Sequence, residues 1–98
     1  MGAHTFFTRA NGEDAKSAFS DAVEDAQYHY GQGGYTGTIA EKTSFTRIPD
    51  DEVGDTDPAE YASQLIDEQD SRIDSKWGPA GCIHVEEDTY LFFGWASA

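Results

Sequence analysis

Cys82 and His84 stand two residues apart in the run Cys82-Ile83-His84-Val85, a spacing that on an extended strand turns a thiol and an imidazole to one face. Such a pair could act as nucleophile and base if the thiol were exposed and its pKa lowered. A buried cysteine beside a satisfied histidine is the competing reading. His4, His29 and His84 with Cys82 could supply metal ligands, but no HxxxH or CxxC spacing joins them, so no metal is expected. Carboxylates are too many for spacing to single out an acid and base pair. Glu41 is the best placed single one, because it follows a glycine- and tyrosine-rich stretch. No nucleophile, metal set or cofactor fingerprint stands out, and the chain reads as non-enzymatic.

That stretch, Tyr28 to Gly37, packs four glycines and three tyrosines into ten residues. Glycines allow positive φ and close approach, while tyrosines offer flat apolar faces with a polar tip. It is not a phosphate-binding P-loop, because the Gly-Lys-Ser/Thr ending is missing and the stretch follows a helical pattern instead of preceding one. It reads as a helix stop and strand entry, or as a ligand contact. In the second case Tyr28, Tyr35, Glu41 and Trp77 would line a small-ligand, nucleotide-like site beside the glycine-rich loops.

Net charge bounds the partners. Nineteen acidic against six basic residues leave −13 on 98 residues, which argues against direct binding to nucleic acid or to an anionic membrane. A partner would be basic. Three explanations of the charge compete: solubility, adaptation to a salty cytoplasm, and imitation of a nucleic-acid backbone to fill a basic groove on another protein. The single cysteine fits a reducing compartment. No signal-peptide pattern or membrane-length apolar run is visible, so a cytoplasmic protein is expected.

The elements that must position these groups follow from periodicity. His4–Ala10 reads as a strand closed by Asn11-Gly12. From Glu13 to Tyr30 the residues Ala15, Ala18, Phe19, Ala22, Val23, Ala26 and Tyr30 recur at helical steps, with Glu13 and Asp14 in the first turn and Gly31 as the stop. On the outer face of that helix Asp14, Asp21 and Asp25 fall within about 40° of one another, with Glu24 to one side, over about 16 Å. Thr36–Glu41 and Ser44–Ile48 read as two β-leaning runs, as a hairpin or as one bent strand, and Asp50–Thr56 as an acidic loop. Asp57-Pro58 with Glu60 is a helix start. Tyr61, Ala62, Leu65 and Ile66 form the buried stripe that follows, opposite Glu60 and Asp67. After a Trp77–Gly81 turn, Cys82–Glu86 and Thr89–Ala96 read as strands, the last the most apolar and therefore central.

The order β-α-β(β)-α-β-β predicts one α+β domain: a mainly antiparallel sheet of four or five strands with two helices packed on one face. The other face would be exposed, covered by loops, or buried in a homo-oligomer.

The segments Gly33–Lys42, Asp74–Ile83 and Tyr90–Ser97 resemble small uncharacterised proteins from phage and bacterial genomes. That resemblance transfers no site residue. It implies a setting in which small acidic proteins inhibit host defence, as anti-CRISPR proteins do, some of them as nucleic-acid mimics. The reading that results is an acidic binding protein whose Asp14, Asp21, Glu24, Asp25, Glu60 and Asp67 occupy a basic site on a protein or complex that handles nucleic acid. The small-ligand domain and the salt-adapted housekeeping protein are its alternatives.

Overall fold

The computed structural model describes residues 2–30 and 36–97. Gly31 as helix stop, and Tyr35 with the rest of residues 31–35 in the glycine-tyrosine stretch, lie outside the described residues.

In chain order the elements are β1 (Ala3–Asn11), α1 (Ala15–Tyr30), a single 3₁₀ turn (Ile39–Glu41), β2 (Phe45–Arg47), α2 (Asp50–Val53), α3 (Pro58–Asp67), β3 (Ala80–Glu86) and β4 (Thr89–Ser97). The four described strands lie in the order β1-β4-β3-β2. β4 is antiparallel to both neighbours, whereas β2 runs parallel to β3. The class is α+β, and the sheet is mixed.

The helices lie on opposite faces, which corrects the expectation of one shared face. Alternation along the central strands makes this plain. Cys82, Tyr90, Phe92 and Ala96 share a core with Ala18, Phe19, Ala22 and Ala26 of α1. Ile83, Leu91 and Phe93 point the other way, into a second core with Ala62, Leu65 and Ile66 of α3. Strand direction supplies the reason. β1, β2 and β3 are mutually parallel, the path from β1 to β2 crosses the sheet one way, and the path from β2 to β3 returns. Crossovers between parallel strands are right-handed, so two that travel in opposite directions put their helices on opposite faces. β4, buried from both sides, has the most apolar sequence for that reason.

Three local readings are also corrected. Thr36–Glu41 is not a strand: the Thr38 hydroxyl accepts from Ala40 N at 3.1 Å and caps the 3₁₀ turn, a side-chain bond that competes with ladder formation. Ile39 and Ala40 are thereby buried against α1. Within Asp50–Thr56 the chain makes the one-turn helix α2, too short to show a period, which buries Val53. Asp14 precedes α1 as a cap and not as part of its first turn, accepting from Ser17 N at 2.8 Å. The start of α3 is as expected, with Asp57 accepting from Ala59 N and Glu60 N at 3.1 and 3.2 Å.

An aromatic triad ties the first core together. Phe19 of α1, Phe45 of β2 and Phe92 of β4 have ring centroids 5.1 to 5.7 Å apart, near the favourable range for tilted and edge contacts. On the opposite face the Phe93 ring covers Gly81, where an added Cβ would stand 2.5 Å from it.

Candidate partner-binding surfaces

Cys82 is fully buried, and burial pushes its thiol up to about 12. A thiolate nucleophile is therefore not available at neutral pH. His84 shares its face as expected, but its ring packs on Tyr90 at 5.0 Å and its Nε2 lies 2.7 Å from the Glu87 carbonyl. The buried-cysteine reading describes this pair. Among the described residues no group of three metal-ligating side chains comes together, and no helix is long and apolar enough to cross a membrane.

Glu41 serves the fold. Its Oε2 accepts from Gly37 N at 2.7 Å and from Thr36 Oγ1 at 3.1 Å, while Oε1 accepts from Ser97 N at 2.8 Å. Tyr28 on α1 and Trp77 on the loop before β3 are both largely exposed, at 86% and 68%. With Tyr35 outside the described residues and Glu41 committed, the four positions of the small-ligand reading do not assemble into a described site.

Lys42, which sequence reasoning passed over, fixes the Trp77 loop. It is buried, and its Nζ donates to the carbonyls of Ser75, Lys76 and Gly78 at 3.4, 3.2 and 2.9 Å. Burial pushes the pKa of this ammonium down, while the three carbonyls replace its water. The signal in the sequence is faint: a lysine that follows the apolar pair Ile39-Ala40 with only Glu41 between.

The acidic residues divide between the two layers. Asp21, Glu24 and Asp25 are exposed on the outer face of α1. Asp25 meets His29 at 3.5 Å, one turn on. Asp21 and Glu24 make no ion pair with another described residue. Asp14 starts the same stripe, with its carboxyl held below the usual carboxylate range by the hydrogen bond from the Ser17 amide. Glu60 and Asp67 are exposed on α3, on the far side of the sheet. The six positions therefore make two separate surfaces, and one flat partner face cannot cover both.

Three of the cations are held away from these surfaces. Arg72 grips Glu52 through two nitrogens at 2.9 and 2.7 Å and also reaches Asp70 at 2.9 Å. Arg47 pairs with Asp50 at 3.0 Å, and Lys42 is buried in its carbonyl cage. Half of the six basic side chains are thus held within the fold. Beside the α1 stripe runs a groove of about 650 Å³, with Phe19, Val23 and Phe45 on its apolar wall and Lys16 and Glu24 among its polar residues. This surface can attract a positive partner and offer it an apolar foothold.

No family model matches the chain, and no curated protein or solved structure shows significant similarity to it.

Proposed function

We propose that the chain is a non-enzymatic acidic binding protein of the cytoplasm that sets the outer face of α1 into a basic site on a nucleic-acid-handling partner. The resemblance noted above suggests the setting, a phage-type inhibitor of host defence such as an anti-CRISPR protein. One observation carries the reading: Asp14, Asp21, Glu24 and Asp25 stand along one exposed helix without a lysine or arginine ion pair among the described residues. Four charges over about 16 Å stand on average about 5.5 Å apart, the same order as, though wider than, the roughly 3.4 Å per charge along one strand of a nucleic acid. Glu60 and Asp67 on α3 give a second acidic surface that a wrapping partner would reach from the other side.

The test is capture from host lysate at low salt followed by a salt gradient, with the wild type beside Asp21→Lys/Asp25→Lys. A basic nucleic-acid-binding protein retained by the wild type, released as salt rises and lost with the double variant is the expected result, since charge pairs are screened. Both positions are exposed, so the variant's stability should stay within about 0.5 kcal/mol. Retention unchanged by the double substitution would place the contact elsewhere.

A further inference from the structure

The two edges of the sheet are built differently. β2, at one edge, is three residues long and is followed closely by Pro49, and its Arg47 is held by Asp50 and lies over the Tyr90 ring at 5.8 Å. Short length, charge and proline are the usual means of blunting an edge. β1, at the other edge, is neither short nor broken by proline, and Arg9 is its one full charge. It is nine residues long and pairs with β4 over its whole length with no register shift. It contains no lysine and no proline, and residues 2–12 contain no acid at all in a chain with nineteen. Phe7, in its middle, is 46% exposed.

Backbone direction along β1 follows from two hydrogen bonds. Gly12 N donates to Asp88 O, continuing the β1–β4 ladder, so the even-numbered residues of β1 turn their amides and carbonyls toward β4. At the other end Ser97, opposite Ala3, directs its own N and O away from β1, to Glu41 and Gly37. Ala3, Thr5, Phe7, Arg9 and Asn11 therefore present their N–H and C=O groups outward, where no described strand meets them.

We infer that a second copy of this chain pairs with β1, antiparallel and centred on Phe7, to make one continuous eight-stranded sheet. Phe7 is the midpoint of Ala3–Asn11, so this register alone uses all nine residues. It sets Thr5 opposite Arg9 of the second copy and Ala3 opposite Asn11, and every outward backbone group gains a partner. Arg9, the full charge on the strand, does not meet itself. The two Phe7 side chains become neighbours on the α3 side, with Cα atoms about 5.5 Å apart. Electrostatics permits this edge: two chains of −13 repel over most of their surfaces, and β1 brings no carboxylate of its own to the pairing, while the other carboxylate-free edge, β2, is the short and blunted one. The blunted β2 edges end the assembly at two copies. Because the two-fold axis stands perpendicular to the sheet, both α1 helices come to lie on the same side, one beside each β1 strand.

Sedimentation at rising protein concentration and at low and high salt, combined with amide exchange read residue by residue, tests this. The expected species has the mass of two chains and strengthens with salt, the opposite of the partner binding proposed above. In it the amides of Thr5, Phe7 and Arg9 are protected along with those of Phe6 and Thr8. Phe7→Lys and Thr5→Lys should each reduce the mass to one chain and expose the odd-numbered amides while Phe6 and Thr8 stay protected. A monomer at every concentration, or a dimer whose Thr5, Phe7 and Arg9 amides exchange freely, would overturn the inference. The exchange pattern of the wild type decides the matter even if a variant fails to fold.

Discussion

The Glu41 carboxylate accepts a hydrogen bond from the backbone amide of Ser97 at 2.8 Å, fifty-six residues away. β3 begins at Ala80, opposite a part of β4 well before Ser97, so the end of β4 has no described strand on that side. Glu41 replaces the missing ladder with a side chain, and Gly37 N donates to the Ser97 carbonyl at 2.7 Å beside it. A single carboxylate thus joins the 3₁₀ turn to the central strand. Glu41→Ala should lower stability by about 2 kcal/mol, the range for hydrogen bonds to a charged group. Glu41→Gln should fall between the two, since one oxygen acceptor survives while the amide NH₂ meets another donor. Urea midpoints measure both, and salt-dependent capture of a partner should not change with either.

Lys42 makes the second long-range fastening, from the same turn to the Trp77 loop. Lys42→Met keeps most of the aliphatic stem and removes the donor to the Ser75, Lys76 and Gly78 carbonyls. Leaving such groups without a partner costs about 1–3 kcal/mol. The loop should loosen with the global loss, so limited trypsin digestion should cut after Lys76 faster in the variant than in the wild type. Equal cleavage rates would show that the cage does not hold the loop.

Arg72 sets a dependence on pH. Its guanidinium, with the Tyr61 hydroxyl donating at 2.6 Å, holds the Glu52 carboxyl at about 2, below its ordinary 4.5, and the Asp70 carboxyl is lowered by the same arginine. A carboxyl depressed in the folded state contributes its stability in full above the ordinary value and loses it as pH falls through the folded one. The gap between wild type and Glu52→Gln should therefore be widest above pH 4.5 and close toward pH 2. Its height should be roughly 1 kcal/mol, because solvent screens a partly exposed pair. Denaturant melts at stepped pH measure the closing gap.

Where the sequence carried a strong local signal, the structure follows it. The Asp57-Pro58 start of α3, the alanine stripe of α1 and the apolar run of β4 each have one physical cause acting over adjacent residues. The opposite placement of the helices rests instead on the parallel pairing of Phe45–Arg47 with Ala80–Cys82. Three residues show no periodicity that tells parallel from antiparallel. Thr36–Glu41 looked like a strand because threonine and isoleucine favour both strands and caps, and the choice was made by Thr38 Oγ1. The acidic residues were legible as helix faces. That α1 and α3 turn them to opposite sides of the molecule depends on the same three-residue pairing.

The strand order also says something about how the molecule comes into being. β1 is made before the other described elements and pairs along its whole length with β4, so Ala3 meets Ser97. Until β4 has left the ribosome, β1 has no neighbour, β3 lacks its longest one, and neither helix has a finished surface to rest on. The nascent chain must hold Phe6, Phe19 and Ile83 without their final cover until Thr89–Ser97 has been made. Contacts between residues so distant in sequence close slowly, and during that interval nineteen negative charges keep unfinished copies apart. That repulsion acts before the chain has a finished surface to present to anything.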